Sequence, residues 1–179
     1  ILEAGVSYVS EDPITMAMVP EMRVDENLVL GELSNYGNGG IWLDLAGIRE
    51  KISSALIGFP LRLAPHDMRV DKLSGGNVQR VILAREMELT RDAAVAPKVL
   101  MAYYPTRGLD VINAEATRRL MLDFRDRGGA IVLVSEDLDE LLSLSDHMMV
   151  MFQGNIVGEF PTEAASVQEI SMLMTGTTE

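Results

Sequence analysis

The stretch Val99-Leu100-Met101-Ala102-Tyr103-Tyr104-Pro105-Thr106-Arg107-Gly108-Leu109-Asp110 decides the fold. Val99 to Ala102 is a continuous apolar run of strand length, set between Pro97 and Pro105, and it suits a strand buried on both faces. Downstream, Ala116, Leu120 and Phe124 recur every fourth residue and mark a helix, which Gly128 and Gly129 close. Ile131 to Val134 is then a second buried strand. Helices alternating with buried apolar strands predict an α/β fold with a mainly parallel sheet.

Working outward, Gly5 to Val9 reads as a strand running into the turn-forming cluster Ser10-Glu11-Asp12-Pro13. Val24 to Leu33 is helical in pattern, with Asp25 as N-cap and Leu28 facing inward; Asn35 to Gly40 is a loop. A further helix is predicted from about Leu43 to Ile57, ended by Gly58 and Pro60. Val78, Val81 and Ile82 fall on one helix face that starts at Gly75 and Gly76. Beyond Val134, Asp137 and Glu140 have the spacing of a capping box for a helix through Leu144, and His147 to Phe160 reads as a hairpin turning at Gln153–Asn155. Ser166 and Glu169 predict a cap for a last helix carrying Ile170, Leu173 and Met174 and stopped at Gly176. Met148, Met149, Met151, Met172 and Met174 are expected to fill core. Trp42 is expected to anchor the helical excursion between Val24 and Leu73.

Composition narrows the function. Among 179 residues, 15 Lys and Arg stand against 27 Asp and Glu, a formal charge of −12 that disfavours non-specific binding to nucleic acid or anionic membranes. A hydrophobic fraction of 47% excludes global disorder, and the absence of Cys excludes disulfide scaffolds and thiolate zinc sites. His66 and His147 are isolated, so no metal site is expected. The longest apolar stretch, His147 to Phe152, is far shorter than the roughly 18–20 residues that span a bilayer. Opening on Ile1-Leu2-Glu3-Ala4, the chain reads as a piece of a longer sequence.

Leu73-Ser74-Gly75-Gly76-Asn77-Val78-Gln79-Arg80 holds the strongest chemical signal. A serine followed by two glycines at a helix start exposes backbone N–H groups at the positive end of the helix dipole, a ready site for phosphate oxygens. Taken with Pro105-Thr106-Arg107-Gly108-Leu109-Asp110, this resembles the ATP-binding subunits of ABC transporters, with Ser74–Asn77 in the signature and Gly108–Asp110 as the D-loop. The motif from Gly39 to Asp44 and the stretch from Val134 to Glu140 narrow the resemblance to the C-terminal half of the double ATP-binding proteins of simple-sugar and nucleoside importers. It implies a partial RecA-like P-loop NTPase core with a helical signature subdomain. Residues 1–23 would hold the Q-loop strand and linker, 24–92 the helical subdomain, and 93–179 the core with D-loop, switch region, hairpin and last helix.

Departures from the family pattern shape the expected mechanism. No Gly-x-x-x-x-Gly-Lys-Ser/Thr stretch cradles phosphates here. The Walker B carboxylates, which hold Mg²⁺ and polarise the attacking water in the family, are replaced by Tyr103 and Tyr104. Phenols are neutral near pH 7 and serve poorly as Mg²⁺ ligands or bases. The switch position holds Glu136 rather than His, and Glu11 takes the Q-loop position. The interval from Ser74 to Tyr103 is longer than the family usually shows, the surplus falling in Thr90–Ala96.

In ABC proteins each ATP lies between one domain's Walker A and the other's signature. The resemblance therefore implies that Ser74, Gly75, Gly76, Asn77 and Asp110 complete a partner's ATP site, with Mg²⁺, and that Glu11 is a further cofactor-binding position, while this half's own site is degenerate at Tyr103, Tyr104 and Glu136. Alone, the chain is expected to be inactive; its parent is expected to hydrolyse ATP at the cytoplasmic face of the membrane. The implied partners are the other nucleotide-binding half and permease subunits, a substrate-binding protein indirectly, and no nucleic acid. The alternatives are a structural or regulatory ABC domain and a non-transport ABC ATPase.

Overall fold

The computed structural model describes residues 5–30, 45–89 and 97–176. The chain divides into two compact units, Ile1–Val134 and Ser135–Glu179.

The first unit is built on three parallel strands: β1 (Val6–Val9), β2 (Val99–Tyr103) and β3 (Ala130–Val134), in that order across the sheet. The register pairs Val9 with Ala102 and Tyr103 with Val134, which aligns the carboxyl ends of all three strands. As the middle strand, β2 carries the apolar run; Leu100 and Ala102 are fully buried, while Val99, Met101 and Tyr103 on the other face are half-buried. β3 forms as predicted but is not a buried strand. It pairs along one edge only among the described residues, and Val132 is 46% exposed. Apolar composition foretold the strand but not its position at the margin of the sheet.

Between β1 and β2 the chain makes a helical excursion through α1 (Pro13–Met16), α2 (Val24–Leu28), α3 (Leu45–Ala55) and α4 (Gly75–Leu83), which runs on as a π-helical turn over Ala84–Leu89. Val24, Leu28, Ile48, Ile52, Val78, Val81 and Ile82 form its buried apolar interior. α2 is shorter than predicted, and its cap position is Arg23 rather than Asp25. Asp25 lies inside the first turn, 2% exposed, where its carboxylate accepts from Arg23 Nε (3.1 Å) and Arg49 Nε (2.6 Å). Two salt bridges thus hold a residue that sequence alone had placed as a cap.

Helix α5 (Val111–Asp126) crosses from β2 back to β3, with Asp110 as its cap and Thr117, Leu120, Met121 and Phe124 buried. Its exit follows the glycine signal. Gly128 takes φ +91°, and the Gly129 amide donates to Phe124 O at 3.1 Å, a geometry that closes the last turn.

The second unit contains α6 (Leu138–Leu144), an antiparallel hairpin of β4 (His147–Phe152) and β5 (Asn155–Pro161), and α7 (Val167–Thr175). Gln153 and Gly154 both take positive φ, +47° and +79°, as a two-residue turn between right-twisted strands requires. Met148, Val150 and Ile170 form a small core with Leu138, Leu141, Phe160 and Leu173 against it. The two-residue period of β4 sends Met149 and Met151 outward, and Met174 is also exposed, so these three do not fill core as predicted. Ser166 stands at the cap of α7 but its side chain makes no cap bond. The predicted loop over Asn35–Gly40, the motif from Gly39 to Asp44, Trp42 and the surplus over Thr90–Ala96 lie outside the described residues.

Candidate functional site

Ser74 takes extended backbone angles and caps α4, as the sequence predicts. Its Oγ accepts from both the backbone amide of Asn77 (3.4 Å) and Asn77 Nδ2 (3.0 Å). A hydroxyl oxygen with both lone pairs engaged keeps one function free, its O–H as a donor. Arg80 Nη2 in turn donates to Asn77 Oδ1, fixing which way that amide faces. Ser74 is exposed, and a Cβ built on Gly75 would meet nothing within 4 Å. The start of α4 is therefore an open cradle of helix N–H groups, a hydroxyl donor and the positive dipole end.

Gly76 has the opposite surroundings. A Cβ there would stand 2.8 Å from the Gly108 carbonyl oxygen, so only glycine lets the helix meet the Pro105–Asp110 turn this closely. Gln79, 4% exposed, donates from Nε2 to Pro105 O at 2.9 Å and ties the same two segments together. Asp110 Oδ1 accepts from the Asn113 amide (2.9 Å) and Oδ2 from Asn113 Nδ2 (2.6 Å). Those bonds, backbone first and side chain second, hold the Asp110 carboxyl below its ordinary range, with Arg80 adding a smaller coulombic pull. The two motifs thus meet at one corner, Gly76 against Gly108 and Gln79 bonded to Pro105, with Arg80 bonded to Asn77 and acting on Asp110 by charge.

Tyr103 and Tyr104 stand at the carboxyl end of β2, where open parallel sheets bind ligands. The Tyr103 ring packs edge-on against Tyr8 of β1, with centroids 5.8 Å apart and planes at 70°. Tyr104 has φ +46°, an uncommon conformation for a non-glycine residue. Its amide donates to Val134 O at 2.8 Å, and Arg107 Cζ lies 5.6 Å from its ring centroid. Both rings are thereby engaged, Tyr103 by an aromatic neighbour and Tyr104 by a guanidinium. Glu11 is exposed on the bend after β1. Glu136 is exposed and belongs to the second unit, just before Asp137, whose Oδ1 accepts from the Glu140 amide at 3.1 Å.

Sequence reading assigned no role to Gln79, Arg80 or Asn113. The i, i+3 spacing of Asn77 with Arg80 and of Asp110 with Asn113 was the available signal, since such pairs share a helix face. A groove of about 650 Å³ between the end of α3 and the outer face of α5, lined by Ile57, Phe59, Val111 and Ile112, contains none of the predicted site residues.

No family model matches the chain. The chain is 37% identical over 180 residues to the glucose import ATP-binding protein TsgD13 of Haloferax volcanii, covering 98% of this chain and 31% of that protein. It is 35% identical over 181 residues to the nucleoside import ATP-binding protein NupA of Lactococcus lactis subsp. cremoris, covering 98% of this chain and 34% of that protein. The chain is a homologue of sugar and nucleoside import ATP-binding proteins. It spans about a third of the length of the curated relatives it matches. Among solved structures, a dimeric ATP-binding cassette in a post-hydrolysis state bound to ADP and Pi matches 88% of this chain and 62% of its own, with TM-score 0.69 and 22% identity. The fold of the homologue is accordingly that of the ABC nucleotide-binding cassettes, RecA-like and α/β. Among the described residues, no helix is long and apolar enough to cross a membrane.

Proposed function

We propose that the chain is the C-terminal nucleotide-binding half of an ABC importer ATPase for sugars or nucleosides, and that it works chiefly in trans. Ser74, Gly75, Gly76 and Asn77, with Asp110 beside them, close over the γ-phosphate of an ATP held by the partner half. What carries the reading is the Ser74 hydroxyl: with both lone pairs taken by Asn77, it keeps its O–H as a donor at an open helix N-terminus, the group a phosphate oxygen needs. Gly75 leaves room for the anion, and Gly76 keeps the corner closed behind it.

Tyr103, Tyr104 and Glu136 make this half's own site degenerate. Phenols packed against Tyr8 and Arg107 do not suit a divalent cation, so Mg²⁺ belongs to the partner's side of the composite site. Residues 24–92 would act as the helical signature subdomain and the flanking segments as core. Permease subunits would receive the closure of the two halves, placing the chain at the cytoplasmic membrane face, with a substrate-binding protein acting at one remove.

The test is ATP-dependent association of this chain with the Walker A-bearing half, with ATPase activity recorded on the same mixture. ATP-driven pairing and turnover, both abolished by Ser74→Arg, are the expected result. A folded sample that pairs and turns over equally well with Ser74→Arg refutes the trans role.

A further inference from the structure

The groove between the end of α3 and the outer face of α5 contains neither Ser74 nor Asp110, and one of its walls is a stripe of charge. Glu115, Arg119, Asp123 and Arg127 all line it, each exposed, and they recur every fourth residue along α5. Residues four apart share one helix face, so acid and base alternate along about 18 Å of that face. Arg119 Nε donates to Glu115 Oε1 at 3.2 Å within the helix. A guanidinium has five N–H donors, so this bond leaves Arg119 able to take a second carboxylate.

Beside the stripe the same groove presents apolar surface. Ile57, Val111 and Ile112 are 80%, 83% and 82% exposed, the three highest values among the large hydrophobic residues described. Gathered in one groove and rimmed by charge, they have the composition of a contact surface rather than of scattered exposure.

The order of the charges identifies what fits. A twofold axis level with Met121 sets Glu115 against Arg127 of a second copy and Arg119 against its Asp123, and the symmetry forms each pair twice. Rows of residues four apart align when two helices cross at about −50°, the commonest packing class in globular proteins. In a chain of formal charge −12, two copies repel in general, whereas this stripe balances two acids with two bases. A patch complementary to itself is what a twofold interface requires.

We infer that this groove is the contact surface of a homodimer, in which α5 of one copy lies along α5 of the other and Ile57, Val111 and Ile112 leave the water. The inference stands apart from the trans role, because neither the signature nor Asp110 lines the groove. Exposed ion pairs around a small apolar patch place the dimer in the weak, reversible class.

The test is sedimentation velocity of the full-length protein without nucleotide, so that ATP-driven pairing stays silent, with thermal midpoints recorded alongside. Wild type is expected to show a monomer–dimer equilibrium in the micromolar range. Asp123→Arg turns two attractions into repulsions and is expected to weaken that equilibrium about 30-fold. The same change makes the chain less negative, which by itself favours association, so a loss reports the pair. Adding Arg119→Asp restores both pairs with their signs exchanged, and the double variant is expected to return to within threefold of wild type. Ile57→Ser is expected to weaken the dimer about 10-fold with little change in thermal midpoint, since the side chain is exposed in the monomer. A wild type that stays monomeric at about 100 µM overturns the inference. Self-association that Asp123→Arg leaves unchanged also overturns it and assigns the contact to another face, the margin of β3 included. A folded double variant that associates no better than Asp123→Arg overturns the twofold pairing. If the double variant does not fold, Glu115→Arg set against the same chain with Arg127→Glu added reads the same symmetry at the outer pairs.

Discussion

Substituting alanine at Gly76 places a methyl carbon 2.8 Å from the Gly108 carbonyl oxygen, whereas alanine at Gly75 places one in open space. The two positions are successive residues of the first turn of α4, so the helical gain of alanine over glycine, up to about 1 kcal/mol, is nearly common to both. Their difference therefore isolates the contact. A carbon and a carbonyl oxygen in favourable contact sit about 3.3–3.6 Å apart, so the corner must open by more than about 0.5 Å. The obstacle is backbone, and it resists: Gln79 holds Pro105 O at 2.9 Å, the Leu109 amide donates to Thr106 O at 3.1 Å, and Gly108 already occupies φ +74°. Overpacking against such a wall costs about 1–3 kcal/mol. The two alanine variants are thus expected to differ by that amount, a gap of roughly 2–12 °C in thermal midpoint for a domain of this size. Thermal unfolding followed by circular dichroism reads it directly. Gly75→Ala is expected to melt above wild type yet to pair less tightly with the ATP-bearing half, since its methyl fills the anion cradle. Midpoints within 1 °C of each other, or Gly75→Ala melting lower, would refute the claim that Gly76 is the point where helix and turn touch.

Three further expectations concern the sheet and its loops. Because Asn113 lowers the folded-state pKa of Asp110, the stability this carboxylate contributes is full above its ordinary, unfolded-state value and is lost as pH falls through the lowered one. Acid unfolding below about pH 4 is expected to flatten in Asp110→Asn, and an identical acid limb in the variant would contradict the assignment. Leu100→Ala empties a fully buried position on the middle strand and is expected to cost about 2–5 kcal/mol in urea unfolding; a loss below 1 kcal/mol would mean the sheet interior is elsewhere. Tyr104→Phe keeps the ring over Arg107 and is expected to leave both stability and the turnover of the paired halves unchanged within twofold. A several-fold drop would show that the phenol takes part in the chemistry.

Local chemistry decided which features were legible in advance. The strand at Val99, the serine cap at residue 74, the glycine exits at 128 and 176 and the hairpin at Gln153 each depend on a few adjacent residues, and each is where the sequence places it. What escaped depends on partners distant along the chain. Asp25 reads as a cap until Arg49 is folded against it. Gln79 reads as an ordinary helix residue until Pro105 arrives, and nothing local marks Arg85 until the carbonyls of Ala17 and Asn27 accept from it. The apolar composition of β3 is the same whether the strand lies inside a sheet or along its margin. In β4 the alternation that buries Met148 and Val150 exposes Met149 and Met151, a parity that composition does not reveal.

The free margin of β3 has a practical consequence. Among the described residues its outer row of backbone groups has no ladder partner, and Val132 lies 46% exposed upon it. Such a strand behaves like an unfilled valence, accepting whichever extended segment reaches it first, another copy of the same chain included. Soluble yield is then a matter of concentration: made dilute, the chain rarely meets such a segment, and made at high concentration it meets many copies of itself.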